Sequence, residues 1–227
     1  MKFFYQNKIK NDQIKHDMKI VETVIKMMLK IKILFKVLFI TCFMTHPSFA
    51  EKISLGNISD YINGLKMVEA DFEQVNSDGS IDAGKLYIRR PGKMRLEYEA
   101  PNNALVIAGA GSVAIFDDKT KDGPTIFPLK KTPLNLLLKK DVNLMENKMI
   151  SEHTEKNKNT FIVVQDPERL SQGKIEMVFS NQPILLEGWT ITNQSNQKTK
   201  IMLNNLHEVA KIPLYLFNIT AASKIKN

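Results

Sequence analysis

Two short runs between residues 84 and 98 alternate apolar with charged or polar positions, which is the period of a half-buried β-strand. The pair Pro91-Gly92 separates them and is typical of a tight turn, because proline presets φ and glycine tolerates positive φ. The pattern therefore predicts a β-hairpin with one apolar face, which covers either packed core or bound cargo. Its apolar positions are Leu86, Ile88, Met94, Leu96 and Tyr98.

Helical periodicity occurs at two places around this hairpin. A stripe of four apolar residues between Ile58 and Leu65 predicts a short helix, with Asn57 as its N-cap. Farther along, Thr132-Pro133 predicts an N-cap followed by the first helical residue, and four leucines crowd residues 134–138. This second helix is too short to be stable alone, so it must lie on an apolar surface that the strands provide.

Most of the remaining chain after residue 66 alternates in the manner of strands, separated by turn residues at short intervals. One strand is predicted around Val68–Phe72, and a polar loop is predicted from Asp117 to Pro124. Regular short strands of this kind predict one large antiparallel sheet that curls. The other predicted strands are Leu105–Ala108, Val113–Phe116, Lys148–Thr154, Phe161–Asp166, Lys174–Ser180, Ile184–Thr192 and Thr199–Leu206.

Residues 1–50 have the pattern of a secretory signal peptide. An apolar run over residues 33–44 follows a lysine-rich stretch, and Ser48 and Ala50 are small residues of the kind that signal peptidase recognises. The run is too short to span a bilayer, which takes about 20 apolar residues. We therefore expect cleavage after Ala50.

The predicted layout is a signal over 1–50, one domain over 51–220 and a frayed tail over 221–227. Translation from a start near Met28 would give a signal of ordinary length. Two alternatives stay open: the apolar run is an uncleaved membrane anchor, or Cys42 marks a lipoprotein cleavage site.

Charge and cysteine content exclude several classes of function. Residues 1–50 hold nine lysines and three acidic residues, so they account for +6 of the total formal charge of +8. The remainder is nearly neutral, and we expect no nucleic-acid partner. Cys42 is the only cysteine, so the chain after Ala50 has no disulfide, thiolate nucleophile or cysteine metal site.

No motif in the sequence indicates catalysis, a cofactor or a metal. His153 and His207 have no partner at metal-ligand spacing, and Gly109-Ala110-Gly111 is more typical of a hairpin turn than of a phosphate loop. The stretch 118–123 partly imitates a calcium loop but lacks its bidentate glutamate. We therefore predict that the protein is not an enzyme and has no cofactor. The basic residues of the hairpin form either a mixed solvated face or a docking surface for an acidic partner.

The order and spacing of several segments resemble the outer-membrane lipoprotein carrier family, LolA. The likeness runs from about Ile53 to Leu206, and it departs from the family at the turn Ala110-Gly111 and at residues 211–227, where the family's C-terminal segment is not clearly matched. The segments that carry it are Phe72-Glu73-Gln74, residues 84–91, Arg95-Leu96-Glu97-Tyr98, residues 107–111, Phe116-Asp117 and residues 132–137.

This resemblance implies a half-open, unclosed antiparallel β-barrel, with short helices as a lid over an apolar cavity. It implies a monomeric periplasmic chaperone that receives acylated lipoproteins from an inner-membrane lipoprotein-releasing ABC transporter and delivers them to an outer-membrane acceptor. It also implies that Arg90 bonds to the lid helices and holds the empty cavity shut, whereas Arg89 points the other way. We expect the lipid cavity to be lined by Phe72, Leu86, Ile88, Met94, Leu96, Tyr98, Leu134 and Leu137.

The alternative keeps the fold and changes the role. The same half-barrel could serve as an outer-membrane acceptor of lipoproteins (the LolB type) or as a periplasmic binder of other lipids. A lipidated N-terminus after cleavage would favour the acceptor, and cleavage after Ala50 favours the carrier.

Overall fold

The structure is a computed structural model that describes residues 18–19, 26–32, 52–117, 123–146, 148–165 and 173–226. The chain divides into two compact units, Met1–Phe49 and Ala50–Asn227. In the first unit the described residues are helical and exposed. The predicted signal segment otherwise lies outside the described residues, as does most of the stretch that imitates a calcium loop.

The described residues of the second unit form strands and three short helices. The helices are α1 (Leu55–Gly64), α2 (Asn135–Leu138) and α3 (Ile219–Lys226), with 3-10 turns at Leu129–Lys131 and Leu214–Phe217. The first six strands are β1 (Met67–Val75), β2 (Ile81–Arg89), β3 (Lys93–Tyr98), β4 (Leu105–Gly109), β5 (Ser112–Phe116) and β6 (Thr125–Pro128). The other five are β7 (Ile150–Lys156), β8 (Asn159–Gln165), β9 (Lys174–Asn181), β10 (Ile184–Thr192) and β11 (Lys198–Glu208).

All the described strands join one antiparallel sheet in the order β6-β5-β4-β3-β2-β1-β11-β10-β9-β8-β7. The first and last strands in the sequence, β1 and β11, pair with each other in the middle of the sheet, and Phe72 lies opposite Leu203. Strands β6 and β7 are the two edges and do not pair with each other, so the barrel is unclosed. The predicted fold class, mainly antiparallel β with an open barrel and short helices, is confirmed.

The hairpin predicted from the opening pattern is β2–β3. Leu86 lies opposite Leu96 and Ile88 opposite Met94, so both strands direct their apolar residues to the same face. Gly92 in the turn has φ +74°, as the Pro-Gly pair predicts. We call the face of the sheet that α1 and α2 cover the inner face, and these four residues belong to its core.

Three local predictions were wrong. The hydroxyl of Ser54, not the side chain of Asn57, caps α1, and it accepts from the Asn57 backbone N–H. Thr132 does not cap α2, because its hydroxyl donates back to the carbonyl of Leu129. The predicted frayed tail is instead helical to Lys226. Strand β6, which follows the predicted polar loop, has no counterpart in the prediction.

The outer face of the sheet carries a second, smaller core that the sequence did not reveal. Residues 209–226, which we call the C-terminal segment, cross β2 to β5 and bury outward-facing apolar side chains of these strands. Gly109 allows close approach here, because a Cβ at this position would overlap the carbonyl oxygen of Phe217. The buried members of this core are Leu105, Ile107, Ala114, Phe116, Ile212, Phe217 and Ala222.

Substituting Gly109→Ala should therefore displace the C-terminal segment. We expect the free energy of unfolding to fall by about 1–3 kcal/mol, the usual range for overpacking. Amide hydrogen exchange of residues 217–222 should also become faster, because the segment can no longer lie flat. Gly64→Ala is the matched control, since a Cβ at that helix end meets nothing within 4 Å. Equal losses in the two variants would contradict the close packing described for Gly109.

Candidate functional site

The inner face of the sheet brings together all eight residues expected to line a lipid cavity. Seven of them are buried members of one continuous apolar core, and Tyr98 is half-buried against it. The edge of the Tyr98 ring meets Phe72, with ring centroids 5.0 Å apart. In this structure the side chains pack against one another and against the helices above them. Whether they separate to admit a ligand stays a prediction.

The roof of this core consists of two pieces that are fastened to each other. We call α1, α2 and the following segment 139–144 the lid. The side-chain amide of Asn63 donates to the carbonyl of Val142 at 2.9 Å and accepts from its N–H at 3.0 Å. The Ser59 hydroxyl accepts from the N–H of Leu144 at 3.0 Å. Segment 139–144 is therefore attached along α1 by side-chain to backbone hydrogen bonds.

Arg90 connects both pieces of the lid to the hairpin. Its Nη1 donates to the carbonyl of Ile62 in α1, and its Nη2 donates to the carbonyl of Lys139 at 2.7 Å. Longer contacts from Nη2 reach Asn63 Oδ1 at 3.4 Å and the Lys140 carbonyl at 3.5 Å. One guanidinium thus joins the end of α1 to the end of α2.

Backbone hydrogen bonds of the β2–β3 turn reinforce the same junction. The N–H of Arg90 donates to the carbonyl of Lys66 just after α1, at 2.8 Å, and the N–H of Gly92 donates to that of Leu138 in α2, at 2.7 Å. The turn therefore holds each helix at its C-terminal end, where carbonyls lack partners within the helix.

The Arg90 guanidinium is buried, with 9% of the residue exposed. Burial lowers the pKa of Arg90 and the nearby carboxylate of Asp141 opposes that shift. An arginine keeps its charge in proteins, so the group remains a cationic donor. Its Nε atom is buried and makes no hydrogen bond within the part of the chain that is described. The contact with the lid is strong but not fully satisfied.

Arg89 points to the opposite side of the sheet. Its Nη1 donates to the carbonyl of Ile212 at 2.6 Å, and Arg95 Nη1 donates to the carbonyl of Leu216 at 2.9 Å. Both acceptors lie in the C-terminal segment on the outer face. Arg95 also pairs with Glu97 at 2.5 Å, and Lys85 pairs with Asp71 at 3.0 Å. The basic residues of the outer face therefore contact both backbone carbonyls and carboxylates. The adjacent residues Arg89 and Arg90 make their hydrogen bonds on opposite faces of the sheet.

The inner face becomes polar at the end of β2 far from Arg90. The Tyr98 hydroxyl donates to Gln74 Oε1 at 2.6 Å, and the Asn76 amide connects Gln74 Nε2 to Asp82 Oδ2 by bonds of 2.6 and 2.7 Å. Burial raises the pKa of Tyr98 to about 12, and the Asp82 carboxylate adds to that shift. The phenol is therefore a neutral donor at physiological pH, and the apolar core ends in a hydrogen-bonded polar rim.

No group that could hold a metal ion is found within the described residues. His153 is half-buried, and its Nε2 lies 2.8 Å from the carbonyl of Ile53, while His207 is exposed and lies 2.7 Å from that of Asn205. Each ring thus makes a backbone contact on a strand.

Comparison with protein families assigns most of the chain to one family. The family model described as outer membrane lipoprotein carrier protein LolA matches residues 63–220. The chain belongs to the LolA family. The family match excludes α1 as far as Ile62 and includes α2, Arg90 and most of the C-terminal segment.

Individual relatives of this LolA-family chain are distant. It is 26% identical over 154 residues to the outer-membrane lipoprotein carrier protein of Chromohalobacter salexigens, an alignment that covers 64% of this chain and 72% of that protein. It is 29% identical over 103 residues to an uncharacterized protein of Rickettsia prowazekii, covering 45% and 48% of the two chains. These names describe the two relatives and are not applied to this chain.

Among solved structures, the chain resembles a LolA superfamily protein of Nitrosomonas europaea. The TM-score is 0.41 at 7% identity, with 74% of this chain and 99% of that chain covered. Within the described residues, no helix of the LolA-family chain is both long and apolar enough to cross a bilayer.

Sequence reasoning found Arg90 but missed Asn63 and Ser59, which fasten the lid pieces together. The available signal was composition, because asparagine and serine are poor residues for a helix interior and commonly bond to nearby backbone. Composition does not indicate which backbone groups these two side chains bond to. Val142 and Leu144 are far away in sequence, and nothing in the local pattern indicates that they lie against α1.

Substituting Asn63→Ala should loosen segment 139–144. The variant leaves the N–H and C=O of Val142 without their partner, so we expect the free energy of unfolding to fall by about 2 kcal/mol. Hydrogen exchange at the amides of Val142 and Leu144 should accelerate. Asn57→Ala, at an exposed position of the same helix, is the matched control. If exchange at those two amides is the same in the variant and the control, the lid does not depend on Asn63.

Proposed function

We propose that this protein is a periplasmic chaperone that encloses the acyl chains of lipoproteins under its lid. It receives them from an inner-membrane lipoprotein-releasing ABC transporter and transfers them to an outer-membrane acceptor. The observation that supports this most is the Arg90 contact, in which one buried guanidinium joins both pieces of the lid to the hairpin. The family match supports the class of cargo.

The chemistry of the inner face fits such a cargo. A continuous apolar surface with a hydrogen-bonded polar rim at one end suits the chains of a lipid and excludes a charged ligand from the interior. Met94 and Met177 are buried in this core. Methionine side chains adapt to irregular neighbours, which helps a surface that must fit either the lid or flexible chains.

The energetics explain why the lid must compete with cargo. Each buried CH₂ contributes roughly 0.8 kcal/mol, so one chain of about 16 carbons contributes on the order of 12 kcal/mol before entropy is subtracted. Several chains held this tightly would approach the limit of non-covalent affinity. A carrier can release such a cargo only if its empty state is itself stable.

Arg90 supplies part of that stability in a releasable form. Hydrogen bonds from a charged donor contribute about 1.5–3 kcal/mol each, so two short bonds to carbonyls favour the shut lid by a few kcal/mol. The unpartnered buried Nε–H acts in the opposite direction. The contact is thus strong enough to favour closure and weak enough for acyl chains to displace.

Arg90→Leu should impair unloading while leaving loading intact. Loss of the shut state's hydrogen bonds raises the free energy of the empty carrier, so we expect transfer to an outer-membrane acceptor to fall at least about tenfold. The measurement uses carrier loaded from inner-membrane vesicles and follows lipoprotein arriving at the acceptor.

Arg89→Leu is the matched control, because the neighbouring guanidinium bonds to the outer face instead. It should load and transfer at the rate of the unmodified protein. Normal transfer by Arg90→Leu, or equal impairment in both variants, would remove Arg90 from the release step. Circular dichroism and thermal unfolding of both variants establish that each is folded.

The location of bound chains can be tested with Trp189, the only tryptophan of the protein. It is buried in the inner core and lies opposite Ile201 and Met177 on neighbouring strands. A lipopeptide with brominated acyl chains should therefore quench its fluorescence, because a bound chain must pack close to it.

The control moves the tryptophan to the outer face of the sheet. In the double variant Trp189→Phe and Tyr215→Trp, the tryptophan occupies an exposed position of the C-terminal segment, where Tyr215 is 69% exposed. The brominated lipopeptide should leave that fluorescence nearly unchanged. Quenching only at position 215, or at neither position, would show that acyl chains do not enter the inner core.

A further inference from the structure

We propose that a cleft beside the lid binds the anionic head group of a membrane phospholipid, together with the first part of one acyl chain. The cleft lies between the Leu129–Lys131 turn and α2 on one side and the adjoining ends of β8 and β9 on the other. It has a volume of about 180 Å³. This ligand differs from the lipoprotein cargo proposed above, and its binding can be present or absent whatever that cargo is.

The floor of the cleft is apolar and continuous with the inner core. Leu136, Val164 and Ile175 form it and are buried members of that core, with half-buried Met149 beside them. A free phosphate or another small anion gains no favourable contact from an apolar floor. An acyl chain that starts there would contact the edge of the inner core, whose side chains are already largely shielded from water.

The rim of the cleft is cationic. Lys130, Lys131 and Lys139 contribute to its lining, and no acidic residue does so within the described residues. None of the three side chains forms an ion pair in the described part of the chain, whereas Lys85 and Arg95 on the outer face are paired with carboxylates. Three cations around an apolar floor are complementary to an anionic amphiphile.

The size of the cleft limits the ligand to one chain. A volume of about 180 Å³ is below the roughly 300–1,000 Å³ of typical small-molecule pockets, so it holds only the part of a chain nearest the head group. Lys130 and Lys131 are exposed and Lys139 is half-buried, so the head group itself stays in solvent. A lipid with one net negative charge near its first methylenes meets these conditions, and a bilayer is its abundant source.

The test compares two monoacyl phospholipids that share the same chain, glycerol and phosphate. Monoacyl phosphatidylglycerol has a net negative charge, and monoacyl phosphatidylcholine has none. Calorimetric titration at low salt, below the micelle concentrations, should show that the full chain binds the anionic lipid at least about tenfold more tightly. Exposed ion pairs contribute about 0.2–1 kcal/mol each, and tenfold corresponds to 1.4 kcal/mol. Raising the salt concentration should reduce the preference.

The cleft variant replaces Lys130, Lys131 and Lys139 with glutamine, which leaves the Lys139 carbonyl available to Arg90. Its preference for the anionic lipid should disappear, while a control with Lys156, Lys158 and Lys198 changed to glutamine keeps it. The three control lysines are exposed and lie outside the cleft lining. The methyl resonance of Met149 should shift on binding in the unmodified protein, which locates the chain.

Three results would overturn the proposal. The first is equal affinity for the two lipids, and the second is an unchanged preference for the anionic lipid in the cleft variant. The third is binding of inorganic phosphate alone as tightly as the anionic lipid, because the apolar floor would then contribute nothing to binding. None of them bears on transfer of lipoproteins by Arg90 variants, so this site and the carrier function can fail separately.

Discussion

The arrangement of the inner face depends on the hydrogen bonds from one buried guanidinium to backbone carbonyls at the ends of two helices. Arg90 reaches Ile62 in α1 and Lys139 after α2, and the backbone of the same turn bonds to Lys66 and Leu138. These carbonyls lie at or just beyond the helix ends, where acceptors are not saturated by the intrahelical ladder, and the Ile62 carbonyl also accepts from the Leu65 N–H. A planar group with several donors is suited to serve both at once, and lysine has no equivalent geometry.

The junction adds polar contacts to the apolar packing that holds the helices on the sheet. Helix α2 is only four residues long and could not form alone, and its leucines are stable only while they lie on the strands. The same apolar contacts that hold the lid down are those that an acyl chain would offer. In the proposed function, polar contacts would therefore decide between the shut and the loaded state, because a lipid chain cannot reproduce the bonds made by Arg90, Asn63 and Ser59.

Local patterns predicted the strands well because their apolar and polar residues alternate against a single core. The β2–β3 hairpin, its turn and the strands after residue 148 follow this rule. The cap of α1, strand β6 and the C-terminal segment did not, for different reasons. Ser54 and Asn57 are both good caps within one turn, so local sequence cannot choose between them. Strand β6 is exposed along its whole length, so it lacks the alternation that burial imposes.

The candidate site likewise contains residues that the sequence analysis named and residues that it did not name. Arg90 was predicted only through a family resemblance, because a lone arginine before a proline has no distinctive local pattern. Asn63 was not predicted at all, since its partner Val142 is distant in sequence. The outer core adds a constraint that concerns the sheet itself. With apolar layers on both faces of β2 to β5, these strands are fixed in place. In the proposed function the helices would therefore move away from the sheet, and the polar contacts that would have to break lie at the helix ends.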